Sequence, residues 1–324
     1  MDPRVSLALR RRSSKPIAPD ELARELGLSP KRLVQEIEEL ARAGFAIESH
    51  PILGLRLAAA PGLLADEIVW QLPVSRIGRH VRCVNQTSST NDLAWQEAAR
   101  GQDAADGLAV FAEHQTAGRG RRGNAWIAPA GSSILVSVVC WITGDPNQGA
   151  LLTRATAVAA AEAIEEQASL KVGIRWPNDL VLDDRKVGGI LVEARPSTGA
   201  MGPVVIGLGL NVSQDLAAFP PEIRRIVTSL AMLVEDVDRT LLARSLLVRL
   251  DRVLGLAFDQ RGAEAVRQSA AERCRTLGRR ITIQESGSTF RGEVIGLDPD
   301  YALVLRLSEG GIRSFPAMTA HVMA

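Results

Sequence analysis

Three arginines set among glycines, Gly118-Arg119-Gly120-Arg121-Arg122-Gly123, form the most chemically loaded stretch of this sequence. The string satisfies the GxGxxG spacing of a dinucleotide-binding turn, but that turn needs a helix opening at its last glycine. Gly123 is followed by Asn124, Ala125, Trp126, Ile127, Ala128 and Pro129, and Pro129 forbids a regular helix there. What remains is a loop whose glycines allow close approach and whose guanidinium forks suit a phosphate or a carboxylate. Ordering six backbone residues costs roughly 6–12 kcal/mol. Three charge-assisted hydrogen bonds return roughly 5–9 kcal/mol. The two nearly cancel, so the loop is expected to be mobile when empty and to fold over an anionic ligand. A solvated basic loop or an RNA-binding arginine patch is the plainer alternative.

Two further segments carry polar groups at strand ends. Arg175-Trp176-Pro177-Asn178-Asp179 bunches them at a proline-fixed turn, and Lys186-Val187-Gly188-Gly189 sets a lysine just before a glycine pair. A lysine so placed can reach a ligand oxyanion without crowding, as a point charge on developing phosphate charge. The alternative is an exposed turn lysine with its head in water. Gly207-Leu208-Gly209-Leu210-Asn211 ends another strand on an amide, either a turn residue or a ligand contact. Ser88-Ser89-Thr90-Asn91 opens a helix as a cluster of N-cap residues, and its hydroxyls could equally meet a ligand.

The elements that would position these groups fall into three parts. Over residues 1–60, Pro19 starts a helix that Gly27 stops, Ser29 and Pro30 start another that runs to Ala43, and Phe45–Glu48 and Leu53–Leu57 read as an extended pair. That is the outline of a winged helix-turn-helix, a DNA-binding unit or a protein-contacting module of the same shape. Residues 1–58 hold ten Lys/Arg and eight Asp/Glu, and the acids of the second helix (Glu36, Glu38, Glu39) would face phosphates badly if they lined a groove. Residues 61–274 alternate strands with helices. Strands are expected at Leu108–Ala112, Ile134–Cys140, Ile174–Trp176, Ile190–Glu193 and Val204–Leu210. Helices are expected at Asn91–Arg100, Gly149–Ala168, Arg239–Gln260 and Ala263–Arg275. From residue 275 to 324 the period returns to two, with breaks at Ser286-Gly287, Asp298-Pro299 and Gly310-Gly311, as in a small β-barrel. The fold class is therefore α+β, with a mixed sheet at its centre.

Composition narrows the function. The chain has 324 residues with 38 Lys+Arg against 37 Asp+Glu, too balanced for a nucleic-acid coat or a polybasic membrane binder. Three cysteines (Cys83, Cys140, Cys274), an odd number without CxxC spacing, exclude a disulfide scaffold and a cysteine zinc site; they read as small buried hydrophobes. His50, His80, His114 and His321 are too scattered for an HExxH site, so no metal ligands are assigned. There is no apolar run of membrane-spanning length and no apolar stretch behind Arg10-Arg11-Arg12, so a cytoplasmic protein without a secretory signal is expected.

In order and spacing, Ser89-Thr90-Asn91, Glu113-His114-Gln115 with the arginine loop behind it, Trp126, the Arg175–Asp179 and Lys186–Glu193 segments and Gly207–Asn211 resemble the biotin–protein ligases. The three-part layout resembles their bifunctional form, which also represses the biotin operon. The resemblance spans nearly the whole chain and is strongest over residues 85–215. It implies a class II synthetase-like catalytic domain followed by an SH3-like barrel. It also implies a two-step reaction, in which biotin, ATP and Mg2+ yield biotinyl-5′-AMP and a lysine of the biotin carboxyl carrier protein of acetyl-CoA carboxylase then displaces AMP. By the same resemblance Ser89, Thr90, Asn91, Gln115 and Gly189 meet biotin. Arg119, Gly120 and Arg121 close over its tail and the adenylate phosphate, and Lys186 polarises carboxylate and phosphate. Arg122, Trp126, Asn178 and Asn211 lie on the nucleotide side. No nucleophilic side chain is needed, because positioning, charge neutralisation and exclusion of water from a mixed anhydride suffice.

The sequence departs from the family pattern at four places. Arg175 replaces a lysine and keeps its charge. Gln35 and Glu36 stand where the reading helix is more basic, and the wing reads Leu53-Gly54-Leu55-Arg56-Leu57; both weigh against operator DNA. The last strand offers Met323 where the family has an arginine near the nucleotide. Operator binding and ligand-linked homodimerisation enter by analogy alone. A DNA-binding biotin sensor without turnover, and a lipoate or octanoate ligase, are the competing readings.

Overall fold

Asp2 accepts the Arg4 backbone N–H and Pro3 fills the first helical position, so the chain opens in a helix, α1 (Pro3–Arg10). Val5, Ala8 and Leu9, at helical spacing, turn its apolar side into the small core of this unit. The computed structural model describes residues 1–12, 15–143, 148–195 and 201–323. Helix α2 (Pro19–Leu26) stops at Gly27, whose φ of 65° is the left-handed conformation a side chain would oppose. Helix α3 (Pro30–Arg42) starts under Ser29, which accepts the Arg32 N–H at 3.2 Å. The antiparallel hairpin β1 (Ala46–His50) and β2 (Gly54–Ala59) follows. Leu22, Leu33, Leu40, Phe45 and Leu55 close a small core beneath these elements.

Glu36 does not face outward as the sequence pattern suggested. It is fully buried, accepts the Asp2 backbone N–H at 2.7 Å and pairs with Arg32. Glu39 binds the N-terminal ammonium at 2.7 Å. Beyond Pro30 the exposed residues of α3 are Lys31, Arg32, Val34, Gln35, Glu38, Ala41 and Arg42, with Glu38 the lone acid among them.

The next segment holds α4 (Ala65–Val69), β3 (Val81–Thr87), α5 (Thr90–Ala98), α6 (Gln102–Ala105), β4 (Ala109–Gln115), β5 (Ser133–Thr143) and α7 (Gln148–Ala168). Then come β6 (Gly173–Arg175), β7 (Asp179–Leu182), β8 (Arg185–Ala194), β9 (Met201–Asn211), α8 (Arg239–Ala257) and α9 (Gln260–Arg273). The strands form one mixed sheet in the order β3-β4-β5-β9-β8-β7-β6, with only β3 and β4 parallel. Its two faces follow the period of two along each strand. Ile134, Val136 and Val138 of β5 join Leu152, Ala159, Leu242 and Leu246 in the main core, while Val139 and Trp141 join Leu93, Ala94 and Trp95 of α5.

Two expected boundaries shift for physical reasons. The break between the last two helices comes three residues early, at Phe258–Asp259, because Asp259 accepts the Gly262 N–H at 2.8 Å and caps the second of them from Gln260 rather than Ala263. Strand β8 begins at Arg185 rather than Ile190, so Lys186 stands on a strand and not in a turn. Its backbone N–H donates to the Ile226 carbonyl at 2.7 Å and its carbonyl accepts from Thr228 at 2.8 Å.

The chain ends in a five-stranded antiparallel sheet, β10 (Arg280–Glu285), β11 (Ser288–Leu297), β12 (Leu303–Leu307), β13 (Ile312–Phe315) and β14 (His321–Val322), ordered β13-β12-β11-β10-β14. Buried Trp176 fastens it to the central sheet: its indole N–H donates to the Tyr301 carbonyl at 2.8 Å, and its backbone N–H to Thr276 Oγ1 at 3.1 Å. At the other end Arg10 makes a forked pair with the buried Glu67 at 3.0 and 2.9 Å and reaches Asp238, the cap of α8, at 2.8 Å. Burial pushes the Cys83 and Cys140 thiols up to about 12, the behaviour of packed small hydrophobes. Among the described residues no helix is long and apolar enough to cross a membrane.

Candidate active site

The α5-facing side of the central sheet has a floor stripped of side chains. Gly189 of β8 pairs with Gly209 of β9, and Gly207 pairs with Ser137 of β5. A Cβ on Gly209 would lie 2.5 Å from the Trp126 ring, and one on Gly207 would lie 2.3 Å from Asn91 Oδ1. The glycines therefore let an indole and an amide lie directly on the sheet.

At one end of this floor stands the first turn of α5. The Thr90 backbone N–H and hydroxyl both approach Gln115 Oε1, at 2.7 and 3.0 Å. Ser137 Oγ lies 2.7 Å from Thr90 Oγ1 and 2.6 Å from Asn91 Oδ1. Ser89, Thr90, Asn91 and Ser137 are all buried, and Asn91 Nδ2 has no hydrogen-bond partner among the described residues. This end is neutral, polar and dry.

The other end is charged. Lys186 Nζ pairs with Asp179 Oδ1 at 2.7 Å and sits 5.6 Å from the Trp126 ring centroid, its side chain 30% exposed. A Cβ on Gly189 would come within 3.2 Å of that ammonium, so the glycine keeps the space in front of it clear. The arginine loop folds back on itself. The Trp126 N–H returns to the Gly118 carbonyl at 2.9 Å, and Arg119 bridges to Ala125.

Two of the three arginines, Arg119 and Arg121, do not wait free for an anion, as their sequence alone suggested. Arg119 donates to Asp92 of α5 at 2.6 Å and to Glu193 of β8 at 3.3 Å. Its hydrogen bond to Asp92 raises the guanidinium further and holds that carboxyl below the usual carboxylate range. Arg121 donates to the Ala317 carbonyl, linking the loop to the C-terminal sheet, and burial lowers its guanidinium. Arg122 takes a left-handed φ of 60° in the short helical turn Arg121–Gly123. Partial burial holds the His321 imidazole low, helped by the charges of Arg122 and Arg121. Protein groups thus satisfy part of the charge that the ligand was expected to satisfy.

Other expected contacts lie at the rim. Asn178 donates to the Ile190 carbonyl at 2.9 Å and accepts the Ile190 N–H at its own carbonyl, so it splices the β6–β7 turn to β8. Asn211 is buried with both ends of its amide engaged, donating to the Thr228 carbonyl at 3.0 Å and accepting from Gln214 at 3.2 Å. The fold adds groups that sequence spacing did not single out: Ser137, Asp92, and the roles of Asp179 and Glu193 as partners of the site's cations. Only Ser137 left a visible trace, as the lone hydroxyl within the apolar run Ile134–Cys140.

Residues 83–211, which contain the whole floor, match the biotin/lipoate A/B protein ligase family. The bifunctional ligase/repressor BirA of Bacillus subtilis is 30% identical over 303 residues, covering 91% of this chain and 90% of that protein. The chain belongs to the biotin/lipoate A/B protein ligase family. A biotin–[acetyl-CoA-carboxylase] ligase of Mycobacterium tuberculosis is 35% identical over 230 residues, 68% of this chain and 80% of that one. The biotin protein ligase of Aquifex aeolicus, solved in complex with biotin and ATP, shares the fold with a TM-score of 0.65 at 22% identity. That likeness covers 76% of this chain and 99% of the other. In this ligase family member the glycine floor, Lys186 and the arginine loop all lie within, or at the edge of, the matched segment.

Proposed function

We propose that the protein is a biotin–protein ligase that forms biotinyl-5′-AMP from biotin and ATP and passes biotin to a lysine of a biotin carboxyl carrier domain. The observation that carries this reading is the division of one glycine floor into a neutral hydrogen-bonding end and a cationic end beneath a single loop. A neutral cyclic urea fits the first end, and a carboxylate meeting a phosphate fits the second.

In the first step a biotin carboxylate oxygen bonds to the α-phosphorus of ATP, the bond from that phosphorus to the bridging oxygen breaks, and pyrophosphate leaves. Lys186, released from Asp179, stands where a fixed positive charge offsets the charge growing on the phosphate. Thr90, Asn91 and Gln115 hold the ring, and Ser89 sits beside them at the cap of α5. Arg119, Gly120 and Arg121 belong to the loop that covers the tail and phosphate, which keeps water from the anhydride. Trp126, Arg122, Asn178 and Asn211 border the nucleotide end. In the second step the carrier's amine attacks the carboxyl carbon, the bond from that carbon to the AMP oxygen breaks, and the amine loses a proton. Mg2+ would accompany the triphosphate. Among the described residues no three His, Cys, Asp or Glu converge to hold a metal.

The proposal divides the chain into a winged helix-turn-helix at 1–60, the catalytic domain at 61–274 and an SH3-like barrel at 275–324. It places the enzyme in the cytoplasm, where carboxylases are built. Biotin-responsive repression is part of it. The B. subtilis relative is named as a ligase and repressor, and the inward turn of Glu36 removes one acid from the exposed face of α3. Adenylate binding is proposed to drive homodimerisation; sedimentation of one unchanged monomer with and without biotinyl-5′-AMP would refute that part. The lipoate reading is not favoured, because the Mycobacterium tuberculosis relative is a biotin–[acetyl-CoA-carboxylase] ligase.

The central test is biotin-dependent pyrophosphate release from ATP, followed by avidin blotting of a supplied carrier domain. Release with labelling is the expected result. Binding of biotin with neither release nor labelling would leave the sensor reading in its place.

A further inference from the structure

The buried polar end of the floor contains a proton-counting problem with one solution. Thr90's backbone N–H can only donate, so the Gln115 atom 2.7 Å away is its oxygen. Thr90 Oγ1 lies 3.0 Å from that same oxygen, and two oxygens at that distance need a proton between them. The Thr90 hydroxyl must supply it. Its one proton is then spent, and the 2.7 Å contact between Thr90 Oγ1 and Ser137 Oγ takes the Ser137 proton. Ser137 has none left for the Asn91 amide 2.6 Å away, so that amide must donate to Ser137. The oxygen and nitrogen of an amide are alike in shape, and the surrounding network decides which faces where. The Asn91 nitrogen therefore faces Ser137, and its oxygen takes the other, buried end, which has no partner among the described residues.

We infer that Ser137 is a positioning residue that fixes the polarity of the ligand site: through it, Asn91 offers a buried acceptor while Gln115 keeps its amide nitrogen as a donor. An acceptor beside a donor is the complement of a ring in which an N–H adjoins a C=O, the pattern of a cyclic urea. A ring that offers only donors meets Gln115 donor to donor. The inference rests on the biotin reading and deepens it. Asn91 is 3% exposed and Ser137 is fully enclosed, so neither amide end nor hydroxyl can trade its partner for water. Gly207 supplies the room: a Cβ there would displace the Asn91 amide.

The experiment measures KM for biotin, KM for ATP and kcat for pyrophosphate release in Ser137→Ala, with 2-iminobiotin, a cyclic guanidine, as the all-donor competitor. Losing one buried hydrogen-bond relay predicts a biotin KM raised about 10- to 100-fold, with ATP KM and kcat within about twofold. Discrimination against 2-iminobiotin should fall about tenfold. Asn91→Asp, isosteric and unable to donate while ionised, should raise the biotin KM similarly at a pH well above the carboxylate range, and it serves if Ser137→Ala does not fold. A lowered melting temperature with unchanged biotin KM and unchanged discrimination would overturn the inference and leave the ligase reading standing. Absence of biotin binding by the unaltered protein would overturn both.

Discussion

The two ends of the glycine floor solve opposite problems. The α5 end is uncharged, enclosed and internally hydrogen-bonded: Thr90, Gln115, Ser137 and Asn91 form a chain that is complete apart from the groups it turns outward. The loop end is charged and half-exposed, and its cations are held by carboxylates: Lys186 by Asp179, Arg119 by Asp92 and Glu193. A neutral network in a dry site can be fixed in advance, because any change of partner strands a buried group. Exposed ion pairs are worth at most about 1 kcal/mol each, so an incoming phosphate can take their place. On the proposed reading, recognition sits where nothing need move, and catalysis sits where charge can be exchanged.

The sharpest way to break this contrast is Lys186→Ala. A fixed cation opposite developing phosphate charge is worth about 10²- to 10³-fold in rate. Adenylate formation, followed as biotin-dependent pyrophosphate release, should fall by that order. The melting temperature should not move measurably, since the lost pair with Asp179 is partly exposed. Unimpaired release would remove Lys186 from the chemistry. Gly207→Ala tests the other end. Its Cβ has no room beside Asn91, and overpacking of this kind costs about 1–3 kcal/mol. Biotin KM should rise about 10-fold or more at unchanged kcat; an unchanged KM would show that the Asn91 amide does not face the ligand.

The same contrast explains what could be read from the sequence. The charged end was largely legible, because arginines and a lysine among glycines are conspicuous and the loop is contiguous. Their carboxylate partners were not: Asp92 and Glu193 lie 27 and 74 residues from Arg119, and only the sheet order brings them to it. Thr90 and Gln115 were legible as candidates. Ser137 was not, because one hydroxyl in an apolar strand is commonly a tolerated core residue until its neighbours are known. Strand β3 went unseen because Val81-Arg82-Cys83-Val84-Asn85-Gln86-Thr87 lacks an apolar run, and α1 because its apolar stripe, Val5, Ala8 and Leu9, is a single turn long and runs into Arg10-Arg11-Arg12. Neither element carries one of the residues assigned to the site.

A smaller effect is expected at Arg119. Replacing it with Ala removes two part-exposed ion pairs and one guanidinium from the loop, so global stability should change little. The loop should open more often, and limited proteolysis between Gly118 and Trp126 should speed up a few-fold. Free biotinyl-5′-AMP should also leak into solution faster than from the unaltered enzyme. Equal nicking and equal leakage would show that Trp126 on its glycine seat, rather than the arginine, keeps the loop down.

The smallest effect is a pH dependence of that same tether. Arg119 holds the Asp92 carboxyl below its ordinary value, so folding the loop favours the ionised form. The contribution is complete above the unfolded carboxylate value of about 3.9 and is lost progressively as the pH falls from there through the lower, folded value. Between pH 5 and 8 Asp92 stays charged, and loop cleavage by a protease tolerant of that range should be flat. Below about pH 4 the tether weakens, and cleavage should rise before the far-ultraviolet circular dichroism changes. The Asp92→Asn protein should show the faster cleavage already at neutral pH and lose the acid step. If instead its profile matched that of the unaltered protein, Glu193 alone would be sufficient to hold Arg119. The cationic end would then be less exchangeable than its exposure implies.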